Sequence, residues 1–335
     1  RHLCDFLSGR ALPLEPPPPV PPRRPRSPAA LVACAYGSLS AKWLEGFVHR
    51  TLWVTSFRLP LVLACAGAAL CGLCQRLASV DALERALICH PLDAAGDTGD
   101  APPTGEELRI GMPYSTVLAL AAMGVDALYL DLDVYLLRDP WPQLQRLAYG
   151  DSASSPPPPI FAQGSPLEAS VAARCAPERE VELVVAEHFH ARCLNVGLFY
   201  ARASRATVAW MLRYLAWAHS WPLGNEQNLF DASLGHSLLG EPFAPAEVDA
   251  VLSGRPGGCP SVMYRLMDVA GEFLIAGGGN VQAGTPWWES GGANATSIHF
   301  LSPGWKPQAA RLFAAWAGTE GAEGAEGAAA EGGRL

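Results

Sequence analysis

The chain has 335 residues, 50% of them hydrophobic and 17% charged, with a mean hydropathy of +0.13. That balance excludes an intrinsically disordered protein. With 24 Lys and Arg and a net charge of −8, no broad basic surface can be assembled, so nucleic acid is not an expected partner.

Both ends read as extensions of one α/β domain. Residues 1–28 hold nine prolines and five arginines and predict a stiff linker or stem. Residues 318–335 are a Gly/Ala/Glu repeat, expected to form a disordered tail. The domain is then 29–317. Because the chain begins at Arg1 rather than Met, the lack of a signal peptide or anchor at this end carries no information.

Within the domain, short apolar runs alternate with helical patterns. Leu31–Tyr36 predicts a strand, and Leu39–Thr51 a helix with Trp43, Leu44 and Phe47 on one side. Leu59–Cys74 is apolar for 16 residues, shorter than the roughly 20 of a membrane span. It reads as a buried strand over Leu61–Ala66. A helix is expected over Leu73–Leu87 and a loop over Asp93–Gly105. Pro113–Met123 suits a helix with Pro in its first turn and Gly124 as its stop. Ala127–Leu130 is a strand running into Asp131. This alternation predicts a mostly parallel central sheet with helices on both faces.

Beyond Pro140 the pattern loosens. Ser152–Pro159 reads as a surface loop, Ile160–Gln163 and Asn195–Ala201 as strands, and Ala206–Ala218 and Asn225–Leu234 as helices. Ser297–Phe300 is a last strand and Pro307–Trp316 a closing helix. Of the nine cysteines, Cys71 and Cys74 form a lone CxxC without a second pair at zinc-ribbon spacing. Small buried cysteines with one or two disulfides are expected.

The chemistry concentrates in Leu128–Pro140, LYLDLDVYLLRDP. A hydrophobic strand ends in Asp131-Leu132-Asp133 at the sheet's carboxyl edge, where open α/β sheets bind ligands. Strand alternation would put both carboxylates on one face, able to hold a hard divalent cation that neutralises a diphosphate. His299, at the end of another strand, can add an imidazole, and Lys306 follows seven residues on. Carboxylates with imidazole suit Mn²⁺ or a similar first-row ion. Three further features are ambiguous. The His188-Phe-His190 to Cys193 spacing places no fourth zinc ligand, Trp287-Trp288 fits a sugar platform or core packing, and Asn294-Ala-Thr296 is a glycosylation sequon close to His299.

VLALAAMGVDALYLDLDVYLLRDPWPQL resembles the Asp-x-Asp region of nucleotide-diphospho-sugar transferases, in particular glycosyltransferase family 77. Those are plant and algal arabinosyl-, xylosyl- and galactosyltransferases. Asn195-Val-Gly197-Leu-Phe-Tyr200-Ala-Arg202, Trp217 with Asn225-Glu226-Gln227-Asn228, and His299 with Gly304 and Lys306 follow in the family's order. The resemblance implies a GT-A-type single domain and a metal-dependent transfer from a UDP-sugar, of a pentose or galactose, with retention. It implies a cell-wall glycan or hydroxyproline-rich glycoprotein as acceptor. Asp131, Asp133 and His299 would hold Mn²⁺ or another divalent cation; Asp131, Asp133, Asn195, Gly197 and Lys306 would bind the donor. Glu226 or Gln227 would lie beneath the transferred sugar. A Golgi-luminal type II membrane protein, anchored by a segment outside this chain, is implied too. Two alternatives stand beside it: a catalytically inactive GT-A-like binding protein, and a haloacid-dehalogenase-like phosphatase, disfavoured by Val134-Tyr135 after the second Asp and by the motif's late position.

Overall fold

The computed structural model describes residues 27–37, 39–92, 105–149, 181–187, 194–220, 229–230, 233–234, 262, 264–267, 273–276, 295–300, 306–314 and 316–317. Among these, strands β1 (Ala29–Ala35), β2 (Leu61–Cys65), β3 (Leu87–Pro91), β4 (Asp126–Leu130), β6 (Leu183–Glu187), β7 (Leu194–Ala201) and β8 (Tyr264–Met267) form one sheet. Its order is β3-β2-β1-β4-β7-β6-β8. β7 alone runs against its neighbours. A smaller sheet joins β5 (Val134–Leu136), β10 (Ser297–Phe300) and β9 (Phe273–Ala276), with β10 in the middle.

Six helices belong to the described residues: α1 (Ala41–Val54), α2 (Ala68–Ala78), α3 (Gly105–Ala122), α4 (Trp141–Tyr149), α5 (Arg205–Ser220) and α6 (Lys306–Ala314). Because successive strand residues face opposite sides, β1 serves two cores. Leu31 and Ala33 join α1, α2, α4 and α6 on one side, while Ala30, Val32 and Cys34 join α3 and α5 on the other. The expected α/β architecture, mostly parallel with helices on both faces, is therefore what forms. On the second side Tyr114, Phe199, Trp210, Tyr214 and Phe230 make an aromatic cluster. Full burial of such a side chain contributes roughly 1.5–3 kcal/mol.

The apolar run at Leu59–Cys74 becomes β2 and the start of α2, and among the described residues no helix is long and apolar enough to cross a membrane. Two expected elements change and two unexpected ones appear. The helix expected over Leu73–Leu87 begins at Ala68 and stops at Ala78. Ser79 ends it, its hydroxyl donating to Arg76 O at 2.7 Å. The chain then turns into β3, whose Leu87, Ile88 and Cys89 pair with Leu61, Val62 and Leu63. α3 starts at Gly105, so Pro113 lies inside it rather than in its first turn and the carbonyl of Arg109 has no N–H from that position. Gly124 ends that segment as expected, with a φ of +81° that costs glycine little. β5 and α4 follow the Asp-x-Asp segment unforeseen, α4 opening with its Trp141 N–H on Asp139 Oδ1 at 3.0 Å.

The two cysteines of the CxxC are not bonded to each other. Cys65 pairs with Cys71 and Cys74 with Cys89, while Cys34 is a free, buried thiol. The Ser152–Pro159 loop, the Ile160–Gln163 strand and residues 1–26 and 318–335 of the terminal extensions lie outside the described residues, as do six of the ten residues of the Asn225–Leu234 helix.

Candidate active site

β4 ends at Leu130, and Asp131-Leu132-Asp133 form a turn closed by the Val134 N–H on Asp131 O at 3.0 Å. The carboxylates converge through this turn, not through alternation along a strand as expected. The chain re-enters as β5, where Val134 sits opposite His299 in the antiparallel β5–β10 pair. The Phe300 N–H meets Asp133 O at 3.0 Å. This pairing carries the distant imidazole to the turn. One ligand atom each from Asp131, Asp133 and His299 lies within 4.8 Å of the others. His299 Nε2 is 3.0 Å from Asp133 Oδ1 and 3.9 Å from Asp131 Oδ2. Lys306, just before the expected start of the closing helix, opens α6, and its ammonium donates to Asp133 Oδ2.

His299 is 2% exposed, and among the described residues neither ring nitrogen has a well-aligned hydrogen-bond partner. A buried imidazole is normally satisfied. Two carboxylates and one such imidazole, brought within one coordination sphere's reach, fit a first-row divalent cation.

Burial disfavours the charge of Asp133, but His299 and then Lys306 overcome it and hold the carboxyl well below the usual range. Asp131 moves the other way. Crowding by protein and then the Asp133 charge raise its pKa, although its side chain keeps 42% of its surface open, and solvent there limits the effect. The hydroxyl of Tyr129 donates to Asp131 Oδ1 at 2.6 Å. Burial, and then the Asp131 charge, push that hydroxyl's pKa far up, so it stays a donor.

β7 supplies the opposite wall. Its pairing with β6 jumps from Val185↔Phe199 to Ala186↔Asn195, leaving residues 196–198 as an irregularity beside the site. Asn195 is buried, and its Oδ1 accepts the Gly197 N–H at 2.9 Å while its Nδ2 has no partner among the described residues. Gly197 in turn gives its carbonyl to the Asp131 N–H at 2.7 Å. A Cβ at Gly197 would come within 2.5 Å of Asp131 Oδ2.

Thus Asp131, Asp133, Asn195, Gly197, His299 and Lys306 gather in one place. Glu226 and Gln227 lie outside the described residues, as do the His188–Cys193 segment, Trp287, Trp288 and Asn294. Three contributors escaped the sequence reading. Tyr129 had a weak signal, since period 2 puts it on the face of Asp131. Trp43 donates its indole N–H to Leu132 O at 2.7 Å. Arg50 donates to Leu136 O at 2.8 Å and Leu137 O at 3.3 Å, its guanidinium packed against Trp53, Tyr135 and Trp316. Nothing local in the sequence announces the last two.

Residues 112–270 match the model of the nucleotide-diphospho-sugar transferase family. That segment, 159 of the 335 residues, is similar to the nucleotide-diphospho-sugar transferases. The match includes Asp131, Asp133, Asn195 and Gly197, while His299 and Lys306 lie after it. None of the curated proteins matches this chain in sequence. Among solved structures it is similar to the galactosyltransferase LgtC in complex with donor and acceptor sugar analogs. That likeness has 10% identity, covers 89% of this chain and 99% of the other, and has a TM-score of 0.40. Mouse xyloside xylosyltransferase 1 gives 9% identity, 82% and 97% coverage and a TM-score of 0.37. The glycosyltransferase GlyE of Streptococcus pneumoniae TIGR4 gives 9%, 73%, 46% and 0.37. The phosphatase alternative is set aside: the enzyme is a nucleotide-sugar-dependent transferase, and among the described residues its Asp-x-Asp follows the fourth strand rather than the first.

Proposed function

We propose that the protein transfers a sugar from a UDP-sugar to a glycan or glycoprotein acceptor, with a divalent cation held by Asp131, Asp133 and His299. The observation that carries this reading is the approach of their ligand atoms to within 4.8 Å around an imidazole with no well-aligned hydrogen-bond partner. When bound, such a cation supplies positive charge where a diphosphate leaves. Lys306 adds a second positive charge. Its side chain is 41% exposed, so its ammonium can move from Asp133 to a phosphate oxygen that enters beside it. Developing negative charge on the leaving group is thereby stabilised by groups already in place.

Tyr129 keeps Asp131 oriented by its hydrogen bond, and Asn195 holds the Gly197 backbone against the same carboxylate. Gly197, lacking a side chain, lets Asp131 and His299 close up against that wall. In this reading Glu226 or Gln227 lies beneath the transferred sugar, and the transfer retains configuration, the leaving phosphate itself accepting the acceptor's proton. Mn²⁺ is the expected metal, and a pentose or galactose the expected sugar. A cell-wall glycan or hydroxyproline-rich glycoprotein is the expected acceptor, and the Golgi lumen the expected location.

Thermal unfolding with UDP, with and without Mn²⁺, tests the reading beside Asp133→Ala. A ligand at about 100 times its dissociation constant stabilises the native state by about 2.7 kcal/mol. A Mn²⁺-dependent rise in melting temperature that Asp133→Ala abolishes is expected. A folded wild type that responds to no nucleotide overturns it in favour of a binding protein.

A further inference from the structure

All three carbonyls of the Asp131-Leu132-Asp133 turn are engaged. Asp131 O receives the Val134 N–H and Asp133 O receives the Phe300 N–H, both backbone donors. Leu132 O receives the indole N–H of Trp43 at 2.7 Å. Among the described residues this is the one side-chain hydrogen bond to a carbonyl of the turn, and it comes from α1, a helix that offers no ligand. The Leu132 carbonyl shares a rigid peptide plane with the Asp133 N–H, so fixing that oxygen fixes where Asp133 projects.

The same indole packs on Phe313 of α6, ring centroids 5.4 Å apart, and α6 begins with Lys306. α1 and α6 meet closely at Gly46, where a Cβ would collide with the backbone of Phe313. Trp43 therefore touches both segments that carry charge at the site: the turn through a hydrogen bond, the lysine helix through its ring.

We propose that Trp43 is a positioning residue for the site, its indole N–H fixing the Asp131–Asp133 turn in the geometry that binds a divalent cation. The metal part of this inference rests on the function proposed above; the ordering of the turn does not.

Trp43→Phe removes the N–H and keeps an aromatic ring toward Phe313, while Phe313→Leu disturbs that packing and keeps the hydrogen bond. Two measurements separate the roles: amide hydrogen exchange at residues 132–136 without metal, and Mn²⁺ affinity by electron paramagnetic resonance. For Trp43→Phe, faster exchange at the turn and roughly tenfold weaker Mn²⁺ binding are expected, as when other partners that orient metal ligands are removed. Phe313→Leu should lower the melting temperature but leave Mn²⁺ affinity within about twofold of wild type, below the loss from an orienting partner. Unchanged exchange and affinity in Trp43→Phe overturn the proposal, as does an equal loss of affinity in both variants. If the wild type binds no Mn²⁺, the metal reading fails, and exchange at the turn alone decides whether Trp43 orders it.

Discussion

Gly197 faces Asp131 so closely that a Cβ there would stand 2.5 Å from Oδ2 and 3.0 Å from Cγ, with His299 Cε1 nearer still. The glycine is required by crowding at the site, because the turn carboxylate and the buried imidazole occupy the space a side chain would use.

Gly197→Ala should therefore damage the site more than the fold. Asp131 or His299 must shift, and overpacking of this kind costs about 1–3 kcal/mol. Mn²⁺ titration should show at least tenfold weaker binding, as for displaced metal ligands, while urea unfolding shows a loss within that energy range. Wild-type affinity in the variant would mean that His299 and Asp131 do not act together.

Asp126 offers a pH test remote from the site. It is 1% exposed and accepts the Tyr200 hydroxyl at 2.6 Å, the Ala203 N–H at 2.7 Å and the Tyr149 hydroxyl at 2.8 Å. Burial raises its pKa, and these donors with Arg202 offset that only in part. The folded state then holds the proton more tightly than the unfolded chain. Its contribution is complete below the ordinary value of about 3.9 and is lost as pH rises through the folded value. The unfolding free energy of wild type relative to Asp126→Asn should decline as pH climbs above about 4. A difference that grows with pH contradicts the sign of the shift.

Cys74–Cys89 ties α2 to β3 across 15 residues. Closing a loop of that length removes unfolded-state entropy equivalent to about 3 kcal/mol. Replacing both cysteines by alanine should lower the unfolding free energy by about that amount, read by urea denaturation without reductant. Free-thiol titration of the unfolded wild type is the companion check. If Cys74 and Cys89 react without reductant, the pairing is not present in solution.

Much of the site was readable because its signals are local. Asp131 and Asp133 stand at the end of an apolar strand, where composition alone places a ligand edge, and Asn195-Val-Gly197 belongs to another strand of clear pattern. His299 and Lys306 were legible as a strand end and the residue before a closing helix. The turn geometry was not. A three-residue run between two strands looks the same in sequence as a strand that continues, so alternation was the wrong reason for the right convergence. β3 was hidden because Leu77, Leu83 and Leu87 keep a helical spacing across Ser79, and only pairing with β2 made the last of them part of a strand.

The sequence by itself determined the alternating α/β order, the two carboxylates, the glycine among them and the buried strand at Leu61. These depend on periodicity and on neighbours a few residues apart. Tertiary structure decided that His299 pairs opposite Val134, that Cys71 bonds to Cys65 and Cys74 to Cys89, and that Trp43 and Arg50 grip the carbonyls of the Asp-x-Asp segment and of β5. Those contacts join residues far apart along the chain. Strand register and helix packing fix them, and no local pattern encodes either.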